Sequence, residues 1–330
     1  MPPTLLFDRS DRTRLRFSGA HAVATLNGLV TNDVAALTAG QGMYAAVLTA
    51  KGKLVADLRI FLRDNGVVVD TSALAAPALR DMFKKYVNPR LATITDLTTE
   101  WSDLGVFGEM AGQVVAAATG ASADALATLS DYGQVTVAAA LGGPLERRME
   151  GGSVIIARVP DLGGVGYELL LPQGHVEAVR EALVAAGATV ADAAQWHTLR
   201  VAAGRPEWGS DMDEATLPQE ANFDALNGVS YTKGCYIGQE TVARIHFRGH
   251  VNRNLRRLNI AGDVVPPART ELVDAEGKSV GDIRSTARLG GQGLIGLGMV
   301  RREIEDGSSL TTRWDGGEAQ IGVVGLAPAS

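Results

Sequence analysis

Residues 231–257, YTKGCYIGQETVARIHFRGHVNRNLRR, hold most of the side chains in this chain that could do chemistry. Cys235 is the only cysteine among 330 residues. It lies between Gly234 and Gly238, two residues after Lys233, and just ahead of a stretch, Gln239 to Ile245, that reads as a short helix. A neighbouring cation and a helix N-terminus both favour a thiolate, so Cys235 is expected to be a reactive thiol with Lys233 beside it. The alternative is a small buried hydrophobe, the usual state of a free cysteine. A single cysteine excludes an internal disulfide, a CxxC pair and a four-thiolate metal site, and points to a reducing compartment, the cytoplasm. From Arg244 to Arg257 the chain carries five arginines and two histidines with no acidic residue, inside a chain of net charge -6. That strip reads either as an anion site or as a solvated surface. With Phe247 its only aromatic and the overall balance acidic, RNA ranks last among the partners considered.

Two other positions stand out. Glu168 sits in the run GYELLL, where a charged group needs a partner or a ligand. Arg200 follows Trp196 by four residues on a predicted helix, so the two share a face, with Trp196 read as core. His246 and His250 are also four apart, but with no carboxylate or thiol nearby they make a poor metal pair, and no metal site is expected. GxxxxGK[ST], HExxH and GxSxG are absent, and the glycines at 293, 296 and 298 fall among strands rather than ahead of a helix.

The elements that must position these residues are mixed. Met43–Thr49, Lys53–Arg63 and the stretch after Gly66 alternate as strands, and Asp64-Asn65-Gly66 is a hairpin signal, so the sheet is antiparallel rather than doubly wound. Helices are expected from a Ser18 cap over Gly19–Leu29, then over Ala73–Val87, Gln173–Ala186 and Asp192–Ala203, with strands at Val154–Val159 and Gly166–Leu171. After Val251 the pattern changes to short strands between glycine turns, which suggests a small β-barrel. The expected domains are therefore 1–250 and 251–330. No window approaches eighteen apolar residues, so no membrane span is expected, and the start, Met1-Pro2-Pro3-Thr4, does not read as a secretory leader.

KGCYIGQE followed by Arg244 resembles the signature of the YgfZ-type folate-binding proteins, members of the glycine-cleavage T-protein (aminomethyltransferase) superfamily implicated in iron–sulfur cluster maintenance. Gly28-Leu29-Val30-Thr31-Asn32-Asp33, Tyr44, Lys51-Gly52-Lys53, Gly166-Tyr167-Glu168, Leu199-Arg200 and Gly209-Ser210-Asp211 fall in the order of that superfamily. The resemblance implies an α+β class, with an intertwined antiparallel sheet/helix folate-binding domain around a central channel and a small C-terminal β-barrel. It implies tetrahydrofolate, or a one-carbon derivative, as cofactor. Glu168 would accept from the donor edge of the pterin, with Tyr167, Arg200 and Arg244 as further cofactor-binding residues. Cys235 and Lys233 would be the working pair, and iron–sulfur enzymes or assembly proteins the partners. One departure matters. Where the aminomethyltransferases have paired aspartates, this chain has Ala56-Asp57, so the superfamily's acid is replaced by a side chain with no proton to give, and Asp57, on the opposite face of the strand, is a poor substitute. An accessory protein is expected rather than a glycine-cleavage enzyme, with folate-dependent one-carbon transfer as the alternative.

Overall fold

The structure, a computed structural model, describes residues 3–138 and 153–325. Met1 and Pro2, where the leader reading starts, lie outside them. The chain forms two compact units, each drawn from separate stretches: Met1–Val47, Ala56–Ala193 and Gly228–Tyr236 in the first, and Leu48–Val55, Ala194–Asn227 and Ile237–Ser330 in the second.

In chain order the first unit contributes β1 (Leu5–Asp8), β2 (Thr13–Ser18), α1 (Ala22–Asn27), β3 (Gly42–Leu48), β4 (Leu54–Arg63), β5 (Gly66–Thr71), α2 (Ala76–Tyr86), β6 (Thr93–Asp96) and β7 (Trp101–Phe107). It continues with α3 (Ala111–Thr119), α4 (Ala123–Ala127), β8 (Gln134–Ala138), β9 (Ser153–Val159), β10 (Gly166–Pro172), α5 (Val176–Ala185) and β11 (Thr189–Val190). The strands make two sheets, in the orders β11-β1-β7-β10-β9-β8 and β3-β4-β5-β2-β6. The hairpin read at Asp64-Asn65 is present, with Arg63 opposite Gly66 and Gly66 at φ 129, a conformation glycine adopts without strain. Ser18 does not cap a helix. It ends β2, the chain turns at Gly19 (φ 107), and α1 begins at Ala22.

Side chains alternate across a strand, and in β10 this decides what each face does. Tyr167, Leu169 and Leu171 join Leu6, Leu104 and Val106 in an apolar core closed by Val114 and Val115 of α3 and by Val179 and Leu183 of α5. Glu168 projects to the opposite face. On the second sheet, Phe17 of β2 meets Phe83 of α2 edge-on, with ring centroids 4.9 Å apart.

The second unit contributes α6 (Ala193–Ala203), α7 (Gln239–Arg248) and the strands β12 (Arg253–Ile260), β13 (Glu271–Val273), β14 (Ser279–Leu289), β15 (Gly293–Arg301), β16 (Ser309–Trp314) and β17 (Gly317–Val324). The six strands close into a barrel, β12-β15-β14-β13-β16-β17, over a core that includes Leu258, Leu272, Ile283, Val300 and Ile321. The α+β class and the small C-terminal barrel agree with the sequence. No helix is long and apolar enough to cross a membrane among the described residues.

Candidate functional site

The segment 228–236, which carries Cys235, is built onto the loop that follows α1. Thr31 Oγ1 donates to Gly228 O at 2.6 Å, and Ser230 N donates to Thr31 O at 2.9 Å. The Lys233 ammonium donates to three backbone carbonyls, Asn27 O at 2.6 Å, Val30 O at 2.8 Å and Asn32 O at 2.7 Å. Burial pushes Lys233 down to about 8. Its ammonium also lies 5.2 Å from the centre of the Tyr236 ring. Cys235 itself is exposed and has no disulfide partner. An ammonium has three N–H groups, and all three are taken, so Lys233 has no donor left for a thiolate.

Gly238 caps α7 in the left-handed conformation, at φ 85. A Cβ there would come within 2.6 Å of Thr49 O, and one on Gly52 within 2.8 Å of Thr241 Cβ. Gly52 of Lys51-Gly52-Lys53 and Gly238 of KGCYIGQE are thus required by one close approach between a turn and a helix start, whereas Gly234 has open space around it.

Glu168 is fully buried, with Arg59 Nη1 2.8 Å from its Oε1. Arg59 also reaches Asp70 at 2.8 Å, Asp103 at 3.0 Å and Asp161 at 3.2 Å. Register explains the gathering. Asp70 lies directly opposite both Arg14 on β2 and Arg59 on β4, so all three share a face of the second sheet. Glu168 lies opposite Gly105 and Asp103 opposite Leu170, which makes the two carboxyls diagonal neighbours on the first. Burial works against Glu168's charge, but Arg59 outweighs it and holds the group below the usual carboxylate range. Burial together with Glu168's charge drives Asp103 well above that range. Asp70 is brought down to about 2: burial works upward, and Arg12, Arg59 and Arg14 more than offset it.

The other residues singled out in the sequence have these settings. Tyr167 lies in the apolar core and its hydroxyl donates to Leu126 O at 3.1 Å. Arg200 is 1% exposed. It pairs with Asp211 at 2.5 Å and Glu207 at 2.9 Å, and donates to Ser285 Oγ at 3.0 Å. His197 Nδ1 lies 3.0 Å from Arg200 Nη2 and so accepts, which leaves Nε2–H to donate to Thr286 O at 3.0 Å. Arg244 is exposed on α7 and has no ion-pair partner among the described residues. The strip read along 244–257 is not continuous. Arg253 pairs with Glu220, Arg256 with Asp306, and Arg257 donates to Gly325 O. α7 ends at Arg248, so His250 lies beyond it and the two histidines do not share a helix face. Among the described residues no group of His, Cys, Asp and Glu could hold a metal ion.

Two features escape the sequence reading. One is the Arg59 cluster, because nothing local shows that Arg59 in LRIFLR points inward. The other is Asp57. Its Oδ2 accepts from Tyr44 Oη at 3.0 Å, while its Oδ1 is buried without a hydrogen-bond partner among the described residues. Ala56, next to it, is fully buried. Tyr167 and Arg200 spend their donors on the protein, and Glu168, fully buried, is ion-paired with Arg59 although neither of its oxygens has a hydrogen-bond partner among the described residues. Asp57 Oδ1 is a buried acceptor that fits a ligand N–H.

Residues 4–229 match the GCVT N-terminal domain family. The chain is 29% identical over 323 residues to the tRNA-modifying protein YgfZ of Klebsiella pneumoniae, covering 97% of this chain and 92% of that one. It is 36% identical over 165 residues to the mitochondrial iron–sulfur cluster assembly factor IBA57 of Mus musculus, covering 48% and 43%. The glycine cleavage system aminomethyltransferase T of Bartonella henselae superposes with a TM-score of 0.84 at 22% identity, over 98% of this chain and 86% of that chain, a likeness of fold.

Proposed function

The chain belongs to the GCVT family, and on that footing we propose that it is a folate-binding accessory protein that supports iron–sulfur enzymes through the Cys235 thiol. The observation that carries this is the exposure of the chain's only cysteine on a segment held in place by named hydrogen bonds. The names of its relatives, an iron–sulfur cluster assembly factor and a tRNA-modifying protein, support the same direction. One thiolate cannot hold a cluster that takes four protein ligands, so any cluster contact is shared with a partner chain or with small thiols. The test is complementation of cells lacking the protein. Cys235→Ser keeps the size and removes the soft nucleophile. It is expected to fold but not to restore iron–sulfur enzyme activity; full complementation refutes the proposal.

Folate recognition rests on family membership. Both Glu168 and Asp57 have acceptor capacity, but Glu168 is fully buried beside Arg59 whereas Asp57 is half-buried. Titration with tetrahydrofolate separates them. Loss of a charge-assisted pair costs about 1.5–3 kcal/mol, or roughly tenfold to a hundredfold in affinity. Whichever of Asp57→Asn and Glu168→Ala loses that affinity identifies the contact, and equal affinity for wild type and Glu168→Ala removes Glu168 from it. The Tyr44–Asp57 pair also favours a second reading, folate-dependent one-carbon transfer with Asp57 in place of the missing acid. An aminomethyl-transfer assay decides it: with Ala56 at the acid position, turnover is expected to fall about 10²–10⁴-fold below that of a glycine-cleavage enzyme.

A further inference from the structure

We propose that Lys233 is a positioning residue whose ammonium plugs a three-carbonyl cage and thereby fixes the segment that presents Cys235. The inference rests on the reading of Cys235 as the working thiol, but the clamp itself can be tested apart from it.

The cage is formed by Asn27 O at the end of α1 and by Val30 O and Asn32 O in the loop beyond it, at 2.6, 2.8 and 2.7 Å from Nζ. Carbonyls at a helix end have no partner within the helix, and a loop that folds back on them gathers several acceptors in one place. Left empty, such a cage would bury unsatisfied oxygens; a tetrahedral cation with three N–H groups fills it. The lysine comes from the other segment, two residues before Cys235. Two more bonds join the same pair of segments, from Thr31 Oγ1 to Gly228 O and from Ser230 N to Thr31 O. Thr31 Oγ1 in turn accepts from Ala46 N at 2.8 Å, which ties the loop to β3. Gly228–Tyr236 is thus held at three points, with Tyr236 under the ammonium on the far side of Cys235. No contact in this set involves the thiol. Lys233 acts on Cys235 by fixing the backbone on which it stands. The requirement is geometric: a planar guanidinium carries the same charge but cannot direct three N–H groups at three carbonyls around one atom.

The experiment measures hydrogen exchange in full-length Lys233→Ala and Lys233→Arg, with 30–50 mM propylammonium or guanidinium as the added probe, and times Cys235 alkylation by iodoacetamide. In Lys233→Ala the amide of Ser230 should exchange at least tenfold faster than in wild type, while amides of the β12–β17 barrel stay protected and report that the protein is folded. Propylammonium should restore much of that protection, and guanidinium should not. Lys233→Arg should resemble Lys233→Ala. Thr31→Val, which cuts the same tie elsewhere, should loosen the same amide and keeps the test open if Lys233→Ala does not fold. Wild-type protection of Ser230 in Lys233→Ala, or equal rescue by the two cations, overturns the clamp. A clamp that behaves as expected, with Cys235→Ser still complementing, would instead remove the proposed role of the thiol and leave the clamp standing.

Discussion

Around Glu168 the protein packs guanidinium groups and carboxyls against one another, away from water. Around Cys235 it does the reverse, exposing one side chain on a backbone that hydrogen bonds hold from behind. Both residues belong to the first compact unit. In the cluster every charge is defined by its neighbours, and removing one leaves the others uncompensated in a medium that solvates charge poorly. At the loop the side chain has few obligations, and the obligations fall on Lys233 and Thr31. The contrast separates two ways of holding a polar group. One fixes charge through burial and costs much to disturb; the other fixes position through main-chain contacts and leaves the side chain exposed.

The sharpest way to break this comparison is Arg59→Leu. Among the described residues it removes the one cation that reaches all four of Asp70, Asp103, Asp161 and Glu168. Stability should fall by about 3–5 kcal/mol, measured as the shift in urea midpoint at constant slope. A loss below about 1 kcal/mol would mean that the carboxyls simply take up protons and the cluster is not held by charge.

Acid should reach the same cluster next. Asp70 is lowered to about 2 in the fold. A depressed carboxyl adds stability above its unfolded pKa and loses it as the pH falls through the folded value. Stability should therefore decline between about pH 4 and pH 2 by on the order of 2 kcal/mol. Asp103 has the opposite sign. Its raised value means that the folded state holds a proton that the unfolded chain has released, so its contribution falls as the pH climbs above about 4. Asp103→Asn, which keeps the shape and an N–H donor, should match or exceed wild-type stability at pH 7. An acid limb unchanged in Asp70→Asn would assign that limb elsewhere.

Gly238→Ala should cost about 1–3 kcal/mol, because the added Cβ meets Thr49 O at 2.6 Å from a backbone at positive φ. The smallest effect is expected from Cys235→Ser, within about 0.5 kcal/mol of wild type in a thermal melt, with loss of all thiol labelling. A large destabilisation there would return Cys235 to the packing role that a buried cysteine has.

The sequence determined the parts of this protein that depend on neighbours in the chain. The Asp64-Asn65 hairpin, the helix ending at Ala203, the change to short strands after Val251 and the glycine-punctuated loop around Cys235 all arise from local backbone preference and side-chain alternation. Those operate over a few residues, and the structure places each of them close to where it was read. The strands β1, β2, β6, β7 and β8 lacked such a local signal. Only the tertiary structure decided which charges were buried together. Arg14, Arg59, Asp70, Asp103 and Glu168 are as much as 154 positions apart, from 14 to 168, and no local pattern ties them. The pairing of β2, β4 and β5, and of β7 with β10, sets them on facing sheets, and burial with the charge of Glu168 then raises Asp103 while Arg59 lowers Glu168. Lys233 was legible as a cation beside a thiol. That its three protons go to carbonyls 201 to 206 residues away was not, because hydrogen bonding depends on positions in space that the order of residues alone does not give.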